Sequence, residues 1–115
     1  MHEASIALSI LDIITGKCES EGYREIESVR LKIGRAAGIL PDALFFAFDA
    51  AKIDTVAQNA ELIIESVPLG GFCTACESDF DVDDTYVLNC PRCGSTTFTI
   101  RRGYEMEIVE MEVPE

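Results

Sequence analysis

Apolar residues recur every three to four positions over residues 3–21, which predicts an amphipathic helix. Ala7, Leu11, Ile14 and Cys18 fall on one face, and Ile6, Ile10 and Ile13 widen the stripe. Gly16 weakens the middle of this helix by roughly 1 kcal/mol relative to alanine, and Gly22 is suited to the position just past its end. Cys18 lies on the apolar stripe, so it reads as a buried, unreactive thiol. The pattern then changes period. Val29-Arg30-Leu31-Lys32-Ile33 alternates apolar and basic, as a strand with one buried face should. Pro41 suits the first turn of a second helix, and Asp42 beside it favours the positive end of the helix dipole. Leu44, Phe45, Phe48 and Ala51 recur at helical spacing and are expected in the core. An irregular stretch around residues 55–60 leads into a second strand at Leu62-Ile63-Ile64-Glu65.

At Gly70-Gly71 the character of the chain shifts. From there to Gly103 it is rich in Gly, Thr, Asp and Cys and poor in large aliphatic residues. A last strand over residues 104–113 restores the amphipathic pattern through Met106, Ile108, Val109, Met111 and Val113. Its change of phase at Ile108-Val109 suggests a bulge. These elements predict an α+β fold in which a small mixed three-stranded sheet packs with two helices. Residues 1–69 and 104–115 form the main domain, and residues 70–103 form an inserted zinc-ribbon-like module. There is no internal repeat or low-complexity tract. The insert is too small to bury a useful core by itself, so something else must hold it together.

Composition supplies the candidate. Five cysteines stand in a chain with neither a basic n-region nor a small-residue cleavage site at its start, and with no apolar stretch long enough for a bilayer. The expected setting is the cytoplasm, where cysteines in quantity point to metal or redox chemistry rather than to disulfides. Four of them form two pairs, Cys73-Thr-Ala-Cys76 and Cys90-Pro-Arg-Cys93, with thirteen residues between the pairs. Each pair spans a tight turn that can aim two sulfurs at one ion, and Gly94 has the backbone freedom such a turn needs. One antiparallel hairpin would bridge the spacer. Four thiolates make a closed tetrahedral site for structural Zn(II), with no vacancy for substrate. A redox dithiol usually appears as a single Cys-x-x-Cys beside a βαβ pattern. Iron in the same four-thiolate cage is not distinguished by spacing.

Charge narrows the range of partners. Acidic residues outnumber basic ones 21 to 9, for a net charge of −12. Nucleic-acid affinity comes largely from Lys and Arg neutralising phosphates, so DNA and RNA are not expected partners. The excess reads most simply as solubility, or more sharply as a match for a basic partner or for cations.

The first three residues hold a second candidate metal site. The Met1 α-amine has an ordinary pKa of about 7.7–8.0 and gives up its proton to a metal near neutral pH. The amine, the His2 amide nitrogen and the His2 imidazole then close adjacent chelate rings, and the amide or carboxylate of Glu3 can complete the set. Four nitrogen or oxygen donors in a plane favour Ni(II) or Cu(II) over zinc. Taken alone, the tripeptide reads more simply as a solvated terminus, with Glu3 well placed at a helix start.

The two features occur in a particular order. Met1-His2-Glu3 running directly into a helix, the Val29-Arg30-Leu31-Lys32-Ile33-Gly34 strand, the late pair of Cys-x-x-Cys pairs and one acidic terminal strand together resemble the HypA/HybF family of nickel metallochaperones. The resemblance covers essentially the whole chain. It implies a carrier that holds Ni(II) weakly through Met1, His2 and Glu3 and passes it on during [NiFe]-hydrogenase maturation. Structural Zn(II) would be held by Cys73, Cys76, Cys90 and Cys93. The implied partners are a HypB-type GTPase and the hydrogenase large-subunit precursor, and in some organisms urease accessory proteins. Relatives with histidines flanking the cysteine pairs use them to tune the metal sites, and this chain has none there. The sequence shows no phosphate loop, nucleophile–base pair or acid–base carboxylate pair, so an enzyme is not expected. The rival reading is a zinc-ribbon module that contacts protein and carries no nickel.

Overall fold

The computed structural model describes residues 3–115. Helix α1 (Glu3–Ser20) buries Ile6, Ala7, Ile10, Leu11, Ile14 and Cys18, the stripe expected from the sequence except for Ile13, which faces solvent at 58% exposed. It ends in a Schellman motif. The Tyr23 N–H donates to the Cys18 carbonyl at 2.9 Å and the Gly22 N–H to the Glu19 carbonyl at 3.1 Å, with Gly22 at φ +79°. Strand β1 (Ser28–Gly34) follows, with Val29, Leu31 and Ile33 buried. Helix α2 (Pro41–Ala51) begins with proline in its first turn, has no side-chain cap at Leu40, and packs against α1. The Glu3 carboxylate accepts the Leu40 N–H at 3.0 Å, so the start of α1 holds the start of α2. After a turn in which Lys52 Nζ donates to the Ala60 carbonyl at 2.9 Å, the chain enters β2 (Glu61–Val67).

The sheet order is β2-β1-β6, where β6 is Met106–Glu112. Hydrogen bonds at the strand ends establish a mixed sheet. Glu61 N donates to the Glu27 carbonyl and Arg35 N to that of Val67, so β2 runs parallel to β1. Glu27 N donates to the Glu112 carbonyl and Gly34 N to that of Glu105, so β6 runs antiparallel. The parallel pair requires a crossover, and α2 supplies it.

A second sheet has the order β4-β3-β5, formed by β3 (Leu69–Cys73), β4 (Ser78–Val82) and β5 (Phe98–Arg102). Both pairings are antiparallel, and the ladder to β5 shifts register between Gly70 and Gly71. A Cβ at Gly71 would overlap the Thr99 backbone, so this position admits only glycine at the observed strand spacing. The chain folds as two compact units. The first takes residues up to Leu31 with Ile39–Glu65 and Glu107–Glu115. The second takes Lys32–Gly38 and Ser66–Met106.

Three expectations from the sequence require correction. In α2 only Leu44 and Phe48 are buried. Phe45 is 36% exposed and Phe46 78% exposed, while Ala51 is half-buried. The helix is apolar on nearly every side, so its periodicity could not select the face that meets α1. In the last strand Tyr104 lies outside β6 and is exposed. Ile108, Met111 and Val113 are half-buried while Met106 and Val109 stand open. The change of phase therefore falls between Ile108 and Met111. Finally, the hairpin lies around the first cysteine pair, between β3 and β4, and not within the thirteen-residue spacer. Only β4 occupies that spacer, because the partner it pairs with precedes the cysteine turn.

Candidate metal centre

The four paired cysteines meet in the second unit. Cys73 ends β3, Cys76 sits in the turn before β4, and Cys90 and Cys93 occupy the loop between β4 and β5. Their sulfurs all lie within 4.8 Å of one another. The Sγ atoms of Cys73 and Cys93 are 3.6 Å apart, and those of Cys76 and Cys90 are 3.8 Å apart. A zinc–sulfur distance of about 2.3 Å places tetrahedral sulfurs about 3.8 Å from each other. The donor set therefore fits a four-coordinate thiophilic ion in size, number and chemistry.

Local backbone geometry explains how two turns produce this cluster. In the second turn the Gly94 N–H donates to the Cys90 carbonyl at 2.8 Å, with Gly94 at φ +78° as its position after the pair requires. The Arg92 N–H points at Cys90 Sγ at 3.4 Å, and the Cys90 N–H donates to the Ser95 carbonyl at 2.8 Å. The Thr74 N–H donates to the Thr97 carbonyl at 3.0 Å, joining the first turn to the strand leaving the second. Around the sulfurs, Cys73, Phe80 and Cys90 are buried. Cys76, Val82, Val87 and Phe98 pack against them, with the Phe80 and Phe98 rings edge-to-face at 5.8 Å. This core is small.

The electrostatics of the cluster call for a cation. Burial opposes ionisation of Cys90, yet amides of Cys93 and Arg92 and the neighbouring thiols bring its pKa down to about 6 from the usual 9.0. Cys93 goes the other way. An amide at Ser95 favours its thiolate, but burial and the other three sulfurs outweigh this and push it up to about 12. A thiolate at Cys90 is favoured here, and one at Cys93 is resisted. A divalent cation removes that resistance.

One feature of the second unit was not anticipated from the sequence. The Arg102 guanidinium reaches across β3 to two carboxylates of β4, with Nε 2.7 Å from Asp81 Oδ1 and Nη2 2.7 Å from Asp79 Oδ2. Nη2 also donates to the Phe80 carbonyl at 2.7 Å. The Arg102 hydrogen bonds hold the Asp79 carboxyl below its usual 3.8. Asp79 and Asp81 are two residues apart and so share a strand face, but nothing in the sequence pairs that face with Arg102.

At the amino terminus, Met1 and His2 lie outside the described residues. Glu3 opens α1, with its carboxylate engaged to Leu40. Cys18 is buried in the first unit, its thiol donating to the Tyr23 carbonyl at 3.3 Å. No helix among the described residues is long and apolar enough to cross a membrane.

Together, two helices on a mixed sheet and a four-cysteine knuckle module define a small α+β metal-binding protein. Comparison with known proteins is more specific. The family model described as hydrogenase/urease nickel incorporation, metallochaperone, HypA, matches residues 1–113. The chain is 41% identical over 114 residues to the hydrogenase maturation factor HypA of Chloroflexus aggregans, covering 99% of this chain and 100% of that one. It is 43% identical over 115 residues to its counterpart in Chlorobium luteolum, covering 100% and 97%. Its fold is similar to the solution structure of the Ni metallochaperone HypA from Helicobacter pylori. The TM-score is 0.67 at 24% identity, with 97% of each chain covered. The protein belongs to the HypA family of hydrogenase maturation metallochaperones.

Proposed function

We propose that this protein carries Ni(II) at its amino terminus and delivers it during [NiFe]-hydrogenase maturation, with a structural Zn(II) held by Cys73, Cys76, Cys90 and Cys93. The observation that carries the reading is the family match over residues 1–113 together with a closed four-thiolate cage. The cage suits a permanent ion, because four thiolates leave no open position for cargo. The cargo site is then the terminal chelate of the Met1 amine, His2 and Glu3. Glu3 contributes its amide nitrogen, since its carboxylate is engaged with the Leu40 N–H. Nitrogen donors in a plane favour Ni(II) or Cu(II) over zinc, the family match points to nickel, and an open terminal chelate releases its ion more readily than a cage.

On this reading the protein works in the cytoplasm without catalysing a reaction. Its partners are a HypB-type GTPase and the hydrogenase large-subunit precursor, with urease accessory proteins where that enzyme is present. Residues 1–69 with 104–115 carry the nickel function, and residues 70–103 serve as the zinc-held module.

The test is a Ni(II) titration of the protein with its native terminus, of His2→Ala, and of a form with one extra residue before Met1. The extra residue moves the α-amine out of chelating position and leaves every side chain in place. Both altered proteins should lose the terminal site. Equal nickel binding by all three forms rejects the proposed chelate.

A further inference from the structure

Helix α2 has more apolar surface than its own unit uses. Leu44 and Phe48 go into the core, whereas Ala43, Phe46, Ala47 and Ala50 follow one another at helical spacing on a different side. With Leu8 of α1 they line an open groove of about 590 Å³. Phe46 is 78% exposed and Leu8 57% exposed. Among the described residues lining the groove Glu3 alone is polar, and its carboxylate accepts the Leu40 N–H.

The surroundings of the groove carry one sign of charge. Residues 3–16 and 41–51 include Glu3, Asp12, Asp42 and Asp49 and no Lys or Arg. Asp12 follows Leu8 by one turn, and Asp42 and Asp49 stand one turn before and after Phe46. Lys52, just past the helix, offsets Asp49 at 3.1 Å.

These features select the occupant. A small ligand is oriented by several convergent polar groups, which these walls of Ala, Leu and Phe do not supply. An extended peptide would bring backbone N–H and C=O groups into an apolar groove without partners, whereas a helix bonds its own. A second copy of this chain would set carboxylates against carboxylates. We propose that the groove is a docking site for an amphipathic helix of a partner protein, with Leu or Ile at i, i+4 and i+7 and Lys or Arg beside that stripe. The alanines of α2 let the incoming backbone come close, and Phe46 and Leu8 cover its apolar side chains. Its basic residues meet Asp12 and Asp42. The groove stands independently of the nickel reading. Glu3 also belongs to the proposed chelate, so where that reading holds the docked helix lies beside the cargo.

The experiment uses the full-length protein in nickel-free buffer and a pair of synthetic peptides, each helical by virtue of a staple on its far side. Both carry Leu at i, i+4 and i+7; one has Lys at the flanking positions and its twin has Glu. Fluorescence anisotropy gives the affinity, and amide shifts of isotope-labelled protein give the site. The expected result is saturable binding of the Lys peptide, with shifts centred on residues 3–12 and 42–51, and binding of the Glu twin weaker by roughly tenfold or more. Phe46→Ala removes an exposed anchor and leaves the core intact, so it should weaken the Lys peptide by roughly tenfold while the helix signal is unchanged. Asp12→Lys combined with Asp42→Lys should reverse the preference between the twins, which indiscriminate apolar adhesion cannot do. The proposal is overturned by absence of saturable binding, by equal binding of the twins, or by native-like binding in Phe46→Ala. A concentration-dependent dimer of the native protein that Phe46→Ala abolishes also overturns it and gives the groove to a second copy. Because nickel is absent throughout, none of these outcomes bears on the terminal chelate, which its own titration decides.

Discussion

Truncating Phe80 tests whether the metal and the small core around it fold as one system. Phe80 is 5% exposed, sits edge-to-face on Phe98, and is the large side chain buried against Cys73 and Cys90. Replacing it with alanine removes most of a buried aromatic side chain and leaves a cavity, a loss of about 3–5 kcal/mol in an ordinary core. The rest of this cluster is only partly buried, so collapse into the space recovers some of that, and about 3 kcal/mol is the working figure. Zinc-knuckle segments acquire on the order of 10–16 kcal/mol from the metal and are commonly unfolded without it. If metal binding and folding of this unit are coupled, the lost packing energy appears in the metal equilibrium. At 1.4 kcal/mol per decade, about 3 kcal/mol is roughly a hundredfold weaker apparent zinc affinity, without touching a ligand. Phe80→Leu, which keeps most of the volume, should lose tenfold or less. The assay is competition for zinc against a chromogenic chelator of known affinity at fixed pH, with amide hydrogen exchange over residues 66–106 in the same samples. Zinc affinity unchanged in Phe80→Ala, with protection in 66–106 retained in the metal-free state of the native protein, would refute the coupling and make the cage a preformed site.

Further expectations follow from individual positions. Gly16 lies within α1, and a Cβ there meets nothing within 4 Å. Gly16→Ala should therefore stabilise the first unit by about 1 kcal/mol, read as a higher urea midpoint with unchanged slope. Gly71→Ala should open the β3–β5 ladder, seen as faster amide exchange in residues 98–102, because Thr99 backbone occupies the space of the new methyl group. The Asp79–Arg102 pair gives a pH signature. Arg102 lowers the Asp79 pKa from 3.8, so its contribution is present above that value and is lost only as pH falls through the lowered one. The stability difference between native protein and Asp79→Asn should stay constant from about pH 8 to about pH 5. A difference that fades within that window contradicts the assignment.

Much of the first unit was legible because its signals are local. The stripe of α1, the stop at Gly22, the alternation of β1 and the proline at the start of α2 each follow from spacing along one element. The limits of reading appear where a segment is apolar on several sides. In α2 the residues Leu44, Phe45, Phe46 and Phe48 are all large and apolar, and only contact with α1 decided that Leu44 and Phe48 go inside. The position of the hairpin was hidden for a related reason. Strand pairing is a long-range choice, and a spacer with turn residues at both ends gives no sign that β4 pairs backward across Cys73 and Cys76. The clasp from Arg102 to Asp79 and Asp81 depends on that same register.

The sequence by itself determined which four thiols stand as two matched pairs, because two thiols with two residues between them are held near one another by covalent distance. It also marked residues 70–103 as a segment of different character, with few large aliphatic side chains between Gly70 and Gly103. Only the tertiary structure decided that the four sulfurs come together and which of them meets solvent. The two cysteine pairs meet because β3 is the central strand of its sheet and brings two separate turns together. Covalent spacing sets what a knuckle can bind, and strand pairing sets which knuckle atoms meet.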